Sequence, residues 1–589
     1  MNSLTQELSM IFGDAFVEHG FTPNYGKVTP SDRPDLSQFQ CNGALAAAKQ
    51  IGHNPRALAE RIVQRVAHNN IFEEVSIAGP GFINIKLADD YLVQYVMRMV
   101  EDKKLGCPTV VEPQTIVVDY GGANIAKPLH VGHLRSAIIG ECLKRLARFI
   151  GHTVVGDIHL GDWGLQMGMI ISELERRQPD LPYFDPMVTG PYPQEPPFTI
   201  SDLEEIYPAV SQRAKTDDQI LEAARQATFE LQKGRKGYQA LWQHIYNVSV
   251  VDLRSDYDRL NIHFDLWLGE SDTQPLIEEM LEQLQSAGFA TESEGALVIG
   301  VTETGDTKEL PPLILRKSDG AILYGTTDLA TIMQRVQDYS PNLILYVVDK
   351  RQADHFEQVF RSAYKTKIAP ETLTMEHIGF GTMNGPDGRP FKTRSGGVMK
   401  LKDLITMITD KAMERVKNSE LASAEPEQLV AMAQQIGVAT LKFADLMNHR
   451  LKDYQFDLER FSVFEGCTGP YHLYMAVRIN SLLEKAETRG LCTGGDLLPP
   501  SSEDEQQILL RLVEFPDVIL AAFEQRALNY LCDYLYKLAS AYSRFYHNHR
   551  ILTETDLSRQ ASWLQLSQAV LVVLRQSLAI LGIEVPKRM

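Results

Sequence analysis

The chain has 589 residues, 44% of them hydrophobic, and is too long for one hydrophobic core, so about three or four units are expected. A formal net charge of −18 excludes indiscriminate binding to polyanions and leaves any such contact to local basic patches. Six scattered cysteines without a CysXaaXaaCys pair argue against a disulfide framework or structural zinc, and no stretch approaches the roughly 20 apolar residues of a membrane span or a basic-then-apolar leader, so a reducing cytoplasm is the expected compartment.

Within the first hundred or so residues, alternation from Val75 to Leu87 predicts a small α+β unit with an exposed sheet face. The mixed-charge, proline-punctuated segment from Glu101 to Gln114 reads as a linker. ThrIleValValAspTyr, from Thr115 to Tyr120, is β-branched and apolar enough for a buried strand, which Gly121 and Gly122 end. Pro128 suits the first turn of a helix, and helical apolar spacing runs from Leu129 to Ile150, where Gly151 stops it. Thr153 to Ile158 reads as the next strand, which completes a β–α–β half of a nucleotide-binding sheet.

The run AsnIleAlaLysProLeuHisValGlyHis, from Asn124 to His133, sets His130 and His133 around Gly132 at the start of that helix. Unpaired amides and the positive end of the helix dipole favour an anion there. Imidazoles add hydrogen bonds to triphosphate oxygens, a role that needs fixed donors more than it needs a base. The spacing alone would equally suit a helix surface. HisLeuGlyAspTrpGly, beginning at His159, makes a tight turn after the second strand, either a support for a ligand or a structural corner.

Residues from about 172 to 300 interrupt the sheet: the proline-rich run from Pro182 to Pro197 excludes regular helix, and helical patterns follow from Leu203 through Val251. PheLysThrArgSerGlyGly, Phe391 to Gly397, puts the cations Lys392 and Arg394 on a Gly-rich segment suited to departing β- and γ-phosphates, although an exposed basic hairpin would look the same. Beyond residue 400 the pattern is almost wholly helical, with runs at 401–417, 427–446, 470–487, 503–525, 527–550 and 561–581. A bundle without a further nucleotide motif suits a binding appendage. In AlaTyrSerArgPheTyrHisAsnHisArg, Ala541 to Arg550, the rings of Tyr542, Phe545 and Tyr546 fall at the spacing of a core stripe, so Arg544 and Arg550 are the better RNA candidates.

HisValGlyHis resembles the histidine signature of class I aminoacyl-tRNA synthetases, and the longer AsnIleAlaLysProLeuHisValGlyHisLeuArgSer resembles its arginyl form. GlyAspTrpGly at Gly161, TyrGlyThrThrAspLeuAla at Tyr324, AspLysArgGlnAlaAspHisPhe at Asp349, GlyCysThrGlyProTyr at Gly466 and the terminal LeuGlyIleGluValProLysArgMet carry the resemblance from end to end. It implies an α/β fold: a Rossmann-type parallel-sheet catalytic domain at 111–400, with an N-terminal α+β tRNA-contacting domain at 1–110 and an all-helical anticodon-binding domain at 401–589. It also implies activation of L-arginine by ATP with Mg²⁺ to arginyl-adenylate, then transfer to the 3′ terminal adenosine of tRNA(Arg), with AMP and diphosphate released. No permanently bound cofactor or resident metal is implied, no membrane, and a monomer.

Residue roles follow from the same resemblance. His130, Gly132, His133, Lys127, Lys392 and Arg394 would serve the phosphates, Lys127 compensating for the absent LysMetSerLysSer form of the mobile loop. Asp119, Asn124, His159, Tyr324, Asp328 and Gln352 would form the arginine pocket, where a carboxylate meets the guanidinium fork and a ring covers its face. Phe82 and Asn84, in a stretch similar to the family's GlyProGlyPheIleAsn, would approach the corner of the tRNA. Dependence of activation on bound tRNA is implied as well. Two departures stand out: AspTyrGlyGlyAlaAsn replaces the familiar AspTyrSerXaaProAsn, and Leu165 sits where a threonine is common; neither removes a catalytic group. A nucleotidylyltransferase shares the histidine signature but has no reason for a helical RNA-binding appendage, and a noncatalytic relative would lack phosphate-binding groups.

Overall fold

The computed structural model describes residues 1–589 except 32, 34–35, 309, 319, 390, 392–398, 419–424 and 493. Helix α1 (Leu4–Glu18) starts at a capping box in which Ser3 Oγ accepts from Gln6 N. Strands β1 (Val28–Pro30) and β2 (Phe39–Cys41), helices α2 (Gly43–Ile51) and α3 (Pro55–Val66), and strands β3 (Phe72–Ala78) and β4 (Phe82–Leu87) complete the N-terminal unit. Its antiparallel sheet has the order β1-β2-β4-β3. The alternating stretch is thus a hairpin, β4 largely buried and β3 mostly half-buried or exposed. Helix α4 (Asp89–Glu101) follows, and the connector after it is packed down through Leu105 and Cys107.

Strand β5 (Thr115–Asp119), helix α5 (Val131–Ile150) and strand β6 (Thr153–Asp157) form the expected β–α–β unit. The helix starts at Val131 rather than Leu129 because tertiary pairing keeps its approach extended. Leu401 N donates to Leu129 O at 2.8 Å, Val131 N donates to Met399 O, and His130 bridges Lys400, so His130 becomes the N-cap. Helices α6 (Leu165–Arg177), α7 (Ile200–Arg213), α8 (Asp218–Gln232) and α9 (Lys236–Arg259) make a separate layer, with the proline-rich run irregular as expected. The chain returns to the sheet edge, where Leu266 bridges Asp157 and Gly269 bridges Leu160.

Next come α10 (Glu270–Ser286) and a small antiparallel sheet of β7 (Thr291–Ser293), β8 (Ala296–Ile299) and β9 (Leu313–Arg316). They are followed by α11 (Tyr324–Tyr339), β10 (Leu343–Tyr346), α12 (Ala353–Lys365), β11 (Thr374–His377) and β12 (Met383–Asn384). The main sheet is parallel with the order β11-β10-β5-β6. It is buried on both faces: Val117 and Ile344 join a core with α10, α11 and α12, while Ile116, Val118, Leu343 and Leu345 join the larger core with α5.

The C-terminal part is helical: α13 (Leu401–Lys417), α14 (Pro426–Leu446), a short strand β13 (Tyr454–Gln455) paired with β12, α15 (Leu458–Phe461), α16 (Gly469–Thr488), α17 (Glu503–Glu524), α18 (Asn529–Asn548) and α19 (Leu557–Ile580). The six long helices lie within a few residues of the six expected runs. Helix α19 is long and apolar enough to cross a membrane, and 67% of its most apolar window is buried inside the protein, as for a core helix. The N-terminal unit docks on this bundle: α4 packs on α17, and Thr5 Oγ1 donates to Asp517 at 2.8 Å.

Helix α5 is also anchored to the bundle. Arg135 Nε lies 2.8 Å from Asp445 of α14, their side chains 2% and 0% exposed, and Arg135 Nη1 donates to Lys452 O at 3.0 Å. Removing one member of such a pair strands the other charge in the interior. Asp445→Ala is expected to cost about 3 kcal/mol, seen as a large fall in melting temperature, whereas replacing Arg135 and Asp445 together by methionine and leucine recovers most of it.

Candidate functional site

The chain leaves β5 toward β6 on one side and pairs with β10 on the other, so the crevice beyond the strand ends is a topological switch point. The start of α5 forms one wall. His130 Nδ1 accepts from Gly132 N at 3.0 Å, and His133 Nδ1 accepts from His130 N at 3.2 Å. A neutral imidazole whose Nδ1 accepts carries its proton on Nε2, so both rings present an Nε2–H donor. The ring centroids are 3.9 Å apart. Burial, helped by the charges of His130 and Lys127, holds His133 well below the usual histidine range; burial and then Lys127 lower His130. Both rings are therefore neutral donors at the positive end of a helix dipole. A Cβ on Gly132 would lie 2.7 Å from His130 Cε1, so the folded-back cap requires glycine.

Lys127 precedes this helix, with its Nζ 4.5 Å from the centre of the Tyr207 ring. Lys392 and Arg394 lie outside the described residues.

The opposite wall is acidic. Asp119 and Asp157, cross-strand neighbours at the ends of β5 and β6, both accept from Arg335 Nη2 at 2.7 Å. Arg335, on α11, is 2% exposed. Burial opposes its charge, but the two aspartates outweigh that and raise its pKa, while burial pushes Asp119 up against the pull of Arg335 and His159. One oxygen of Asp119 is thus committed to an internal guanidinium, a partner the sequence reading did not single out. Its i, i+7 relation to Asp328 on one helix was the available signal.

Asp328 pairs with His355 Nε2 at 2.6 Å, and that hydrogen bond raises the histidine's pKa against the effect of burial. Tyr324 opens α11 and is 75% exposed. His159 has a left-handed backbone, φ +42°; its Nε2 is 3.4 Å from Thr331 Oγ1, and its buried Nδ1 has no hydrogen-bond partner among the described residues. Asn124 bridges Gly161 and lies so close that a Cβ there would be 2.3 Å from Asn124 Oδ1. Gln352 is exposed in the single turn Lys350–Gln352 beyond β10.

The sequence reading missed Glu270, the first residue of α10. Burial pushes its carboxyl up to about 7, with His159 pulling it down and Asp162 and Asp328 pushing it up. No motif marks it. Its place is set by Asp162, fully buried, which accepts from Ser271 N at 2.9 Å and Ser271 Oγ at 2.6 Å and so clamps the start of α10 to the GlyAspTrpGly turn. The turn thus fixes the start of α10 and with it the carboxyl of Glu270, near the charges of His159 and Asp328. The crevice therefore joins a donor-lined helix end, suited to a polyphosphate, to a group of carboxylates suited to an organic cation.

The RNA candidates lie elsewhere. Asn84 is buried in β4, its Oδ1 accepting from Gln40 Nε2 at 3.0 Å, and Phe82 is half-buried at the hairpin turn. Arg544 and Arg550 are exposed on and beyond α18. On the same helix Tyr542 and Phe545 are core residues at 0% exposure, and Tyr546 stacks beneath Arg478 at 4.6 Å.

Three family models match the chain: "tRNA synthetases class I (R), catalytic domain" over residues 95–458, "DALR anticodon binding domain" over 472–589, and "Arginyl tRNA synthetase N terminal domain" over 2–87. Among curated proteins, an arginine–tRNA ligase of Alkaliphilus oremlandii is 52% identical, with 100% of each chain covered. One from Maricaulis maris is 48% identical, again with 100% of each covered. Solved structures of arginyl-tRNA synthetases from Plasmodium falciparum (TM-score 0.82, 24% identity) and Thermus thermophilus (TM-score 0.78, 21% identity) each align over 100% of both chains and share the fold.

Glu270 also makes a prediction about stability. Its folded pKa lies above the ordinary 4.5, so the folded protein binds more protons than the unfolded chain between there and about 7, and stability declines as pH rises through that window. Glu270→Gln removes this contribution. The melting temperature of the variant, relative to the unaltered protein, should rise with pH across the window, and a pH-independent difference would contradict the raised pKa of this half-buried carboxyl.

Proposed function

The chain belongs to the arginyl-tRNA synthetase family and ligates L-arginine to tRNA(Arg) at the expense of ATP; from that premise we propose which residues carry each step. The observation that carries the assignment is the pair of neutral imidazoles at the start of α5, each with Nδ1 tied to backbone and Nε2–H without a partner among the described residues.

ATP enters as its Mg²⁺ complex, the ion held mainly by phosphate oxygens. His130 and His133 donate to the phosphates through Nε2–H at the positive end of α5, where charge builds as pyrophosphate leaves. The first amides of the helix do not, since Val131 N is taken by Met399 O, Gly132 N by His130 Nδ1 and His133 N by His130 O, in place of the unpaired amides the sequence suggests. Lys127, and Lys392 and Arg394 of the Gly-rich 391–397 sequence, add positive charge. The arginine carboxylate attacks the α-phosphate in line, and the P–O bond to pyrophosphate breaks. The 2′-hydroxyl of the terminal adenosine then attacks the adenylate carbonyl, releasing AMP. No side chain acts as a covalent nucleophile.

Arginine's guanidinium is received by Asp328, with Glu270 beside it and Tyr324 covering the stem; Asn124, His159 and Gln352 line the strand ends. Asp119 contributes through its remaining oxygen, since Arg335 occupies the other. A pocket with several carboxylates is costly to leave ionised and empty, and a bound cation offsets that cost. Arg544 and Arg550 contact tRNA from the helical appendage, and Phe82 and Asn84 do so from the N-terminal unit, Asn84 only through the edge of its strand. Acting as a monomer in the cytoplasm suits the free thiols among the described residues.

Arginine-dependent ATP–pyrophosphate exchange with and without cognate tRNA tests the whole reading. Exchange that needs tRNA is expected, and robust exchange without it would point to an atypical synthetase. Asp328→Ala should raise the KM for arginine by roughly tenfold or more while leaving that for ATP near its original value; unchanged arginine kinetics would remove Asp328 from the pocket. His133→Ala should lower the activation rate by about 100-fold with little change in melting temperature. A large fall in melting temperature with normal activity would make His133 a packing residue instead.

A further inference from the structure

Three lysines converge on one face of α7. Lys400 Nζ lies 2.7 Å and Lys402 Nζ 3.3 Å from the carboxylate of Glu204, while Lys127 Nζ sits 4.5 Å from the ring centre of Tyr207. Glu204 and Tyr207 are at i, i+3 and so share a helix face. Two of the lysines are also tied by backbone to the donor-lined start of α5: Lys127 lies just ahead of His130 in the chain, and Lys400 is its bridge partner.

Exposure distinguishes the partners. The Glu204 side chain is 10% exposed and those of Lys400 and Lys402 are 37% and 38%. The carboxylate is therefore the fixed member, and burial, which would raise its pKa, is outweighed by the two lysines, which lower it. Lys402 has further acidic neighbours in Asp252 and Asp256 of α9, which help to raise its pKa, and Lys400 shares Asp252 with it. Lys400 and Lys127 have flexible stems, partial exposure and a root beside the phosphate end of the crevice. A triphosphate placed there carries more negative charge than one carboxylate or the face of a tyrosine ring.

We propose that Lys400 is a further phosphate-contacting residue of arginine activation, and that Glu204 and Tyr207 are positioning residues that hold Lys400 and Lys127 against α7 until the triphosphate takes them. This rests on the placement of the phosphates at the start of α5. ATP competes with Glu204 for Lys400, so the carboxylate weakens nucleotide binding while keeping the lysine in place. The helical layer that contains α7 is thereby linked to nucleotide occupancy.

The test varies ATP at saturating arginine and tRNA for Glu204→Gln, Lys400→Met and the double variant, with melting temperatures measured alongside. The proposal requires opposite signs. Glu204→Gln should lower the KM for ATP roughly threefold, and Lys400→Met should raise it and lower kcat by roughly tenfold. The double variant should behave like Lys400→Met, and the arginine KM should hold in all three. A shift in the same direction for both single variants, or an unchanged ATP KM in either, overturns the proposal in favour of a purely structural ion pair. Should Lys400→Met not fold, Glu204→Gln decides alone: a lowered ATP KM supports the competition, and an unchanged or raised one overturns it. His133→Ala in the same assay separates the two levels, because a fall in kcat there with no effect at Glu204 leaves the phosphate site standing and removes only the role of α7.

Discussion

Two aspartates at the carboxyl ends of adjacent parallel strands repel each other unless a cation lies between them, and the buried Arg335 fills that place. Because Arg335 belongs to α11, the same contact fixes this helix over the sheet. The positions of Tyr324 at its start and Asp328 in its first turns follow. His159 is brought under Thr331 of the same helix. The amino acid side of the crevice is thus organised around an arginine that belongs to the protein. On the proposed assignment, a substrate guanidinium meets the carboxylate oxygens that Arg335 and His355 leave unengaged.

The phosphate side depends on a different constraint. An extended approach ending at an N-cap histidine requires something to hold residues 129–131 out of the helix, and pairing with 399–401 does so. The donors on one wall are therefore set by a segment more than two hundred residues later in the chain, just before the helical bundle begins. Arg135 and Asp445 tie the body of the same helix to α14, and Lys442 of α14, fully buried, donates to Gly582 O at 2.9 Å near the C-terminus. Contacts of this kind make α5 and the bundle one packed unit.

Legibility in the sequence followed the range of the interaction involved. Helices α13, α14 and α16 to α19 were readable because each buries an apolar stripe whose spacing is local. Strands β5 and β6 and the histidine pair at the start of α5 were readable for the same reason, as β-branched runs, glycine stops and helix-end amides act over a few residues. Strands β10 and β11 were not identified: β10 is a four-residue apolar run that periodicity alone cannot tell from helix, and β11, ThrMetGluHis, carries no apolar pattern at all. The aromatic stripe of α18 carried two meanings in sequence, and packing assigned Tyr542 and Phe545 to the core.

By itself the sequence determined the class of fold, the nucleotide-binding β–α–β unit, the helical appendage and the family, because motif chemistry and hydrophobic period are written in neighbouring residues. Only the tertiary structure decided that Asp119 is shared with Arg335, that the charges of Glu270 and Asp328 come within reach of each other, that Asn84 faces inward, and that Glu204 and Tyr207 of α7 contact Lys400, Lys402 and Lys127. Each of these depends on burial and on charges brought together from distant parts of the chain, and neither quantity exists until the helices are packed on the sheet.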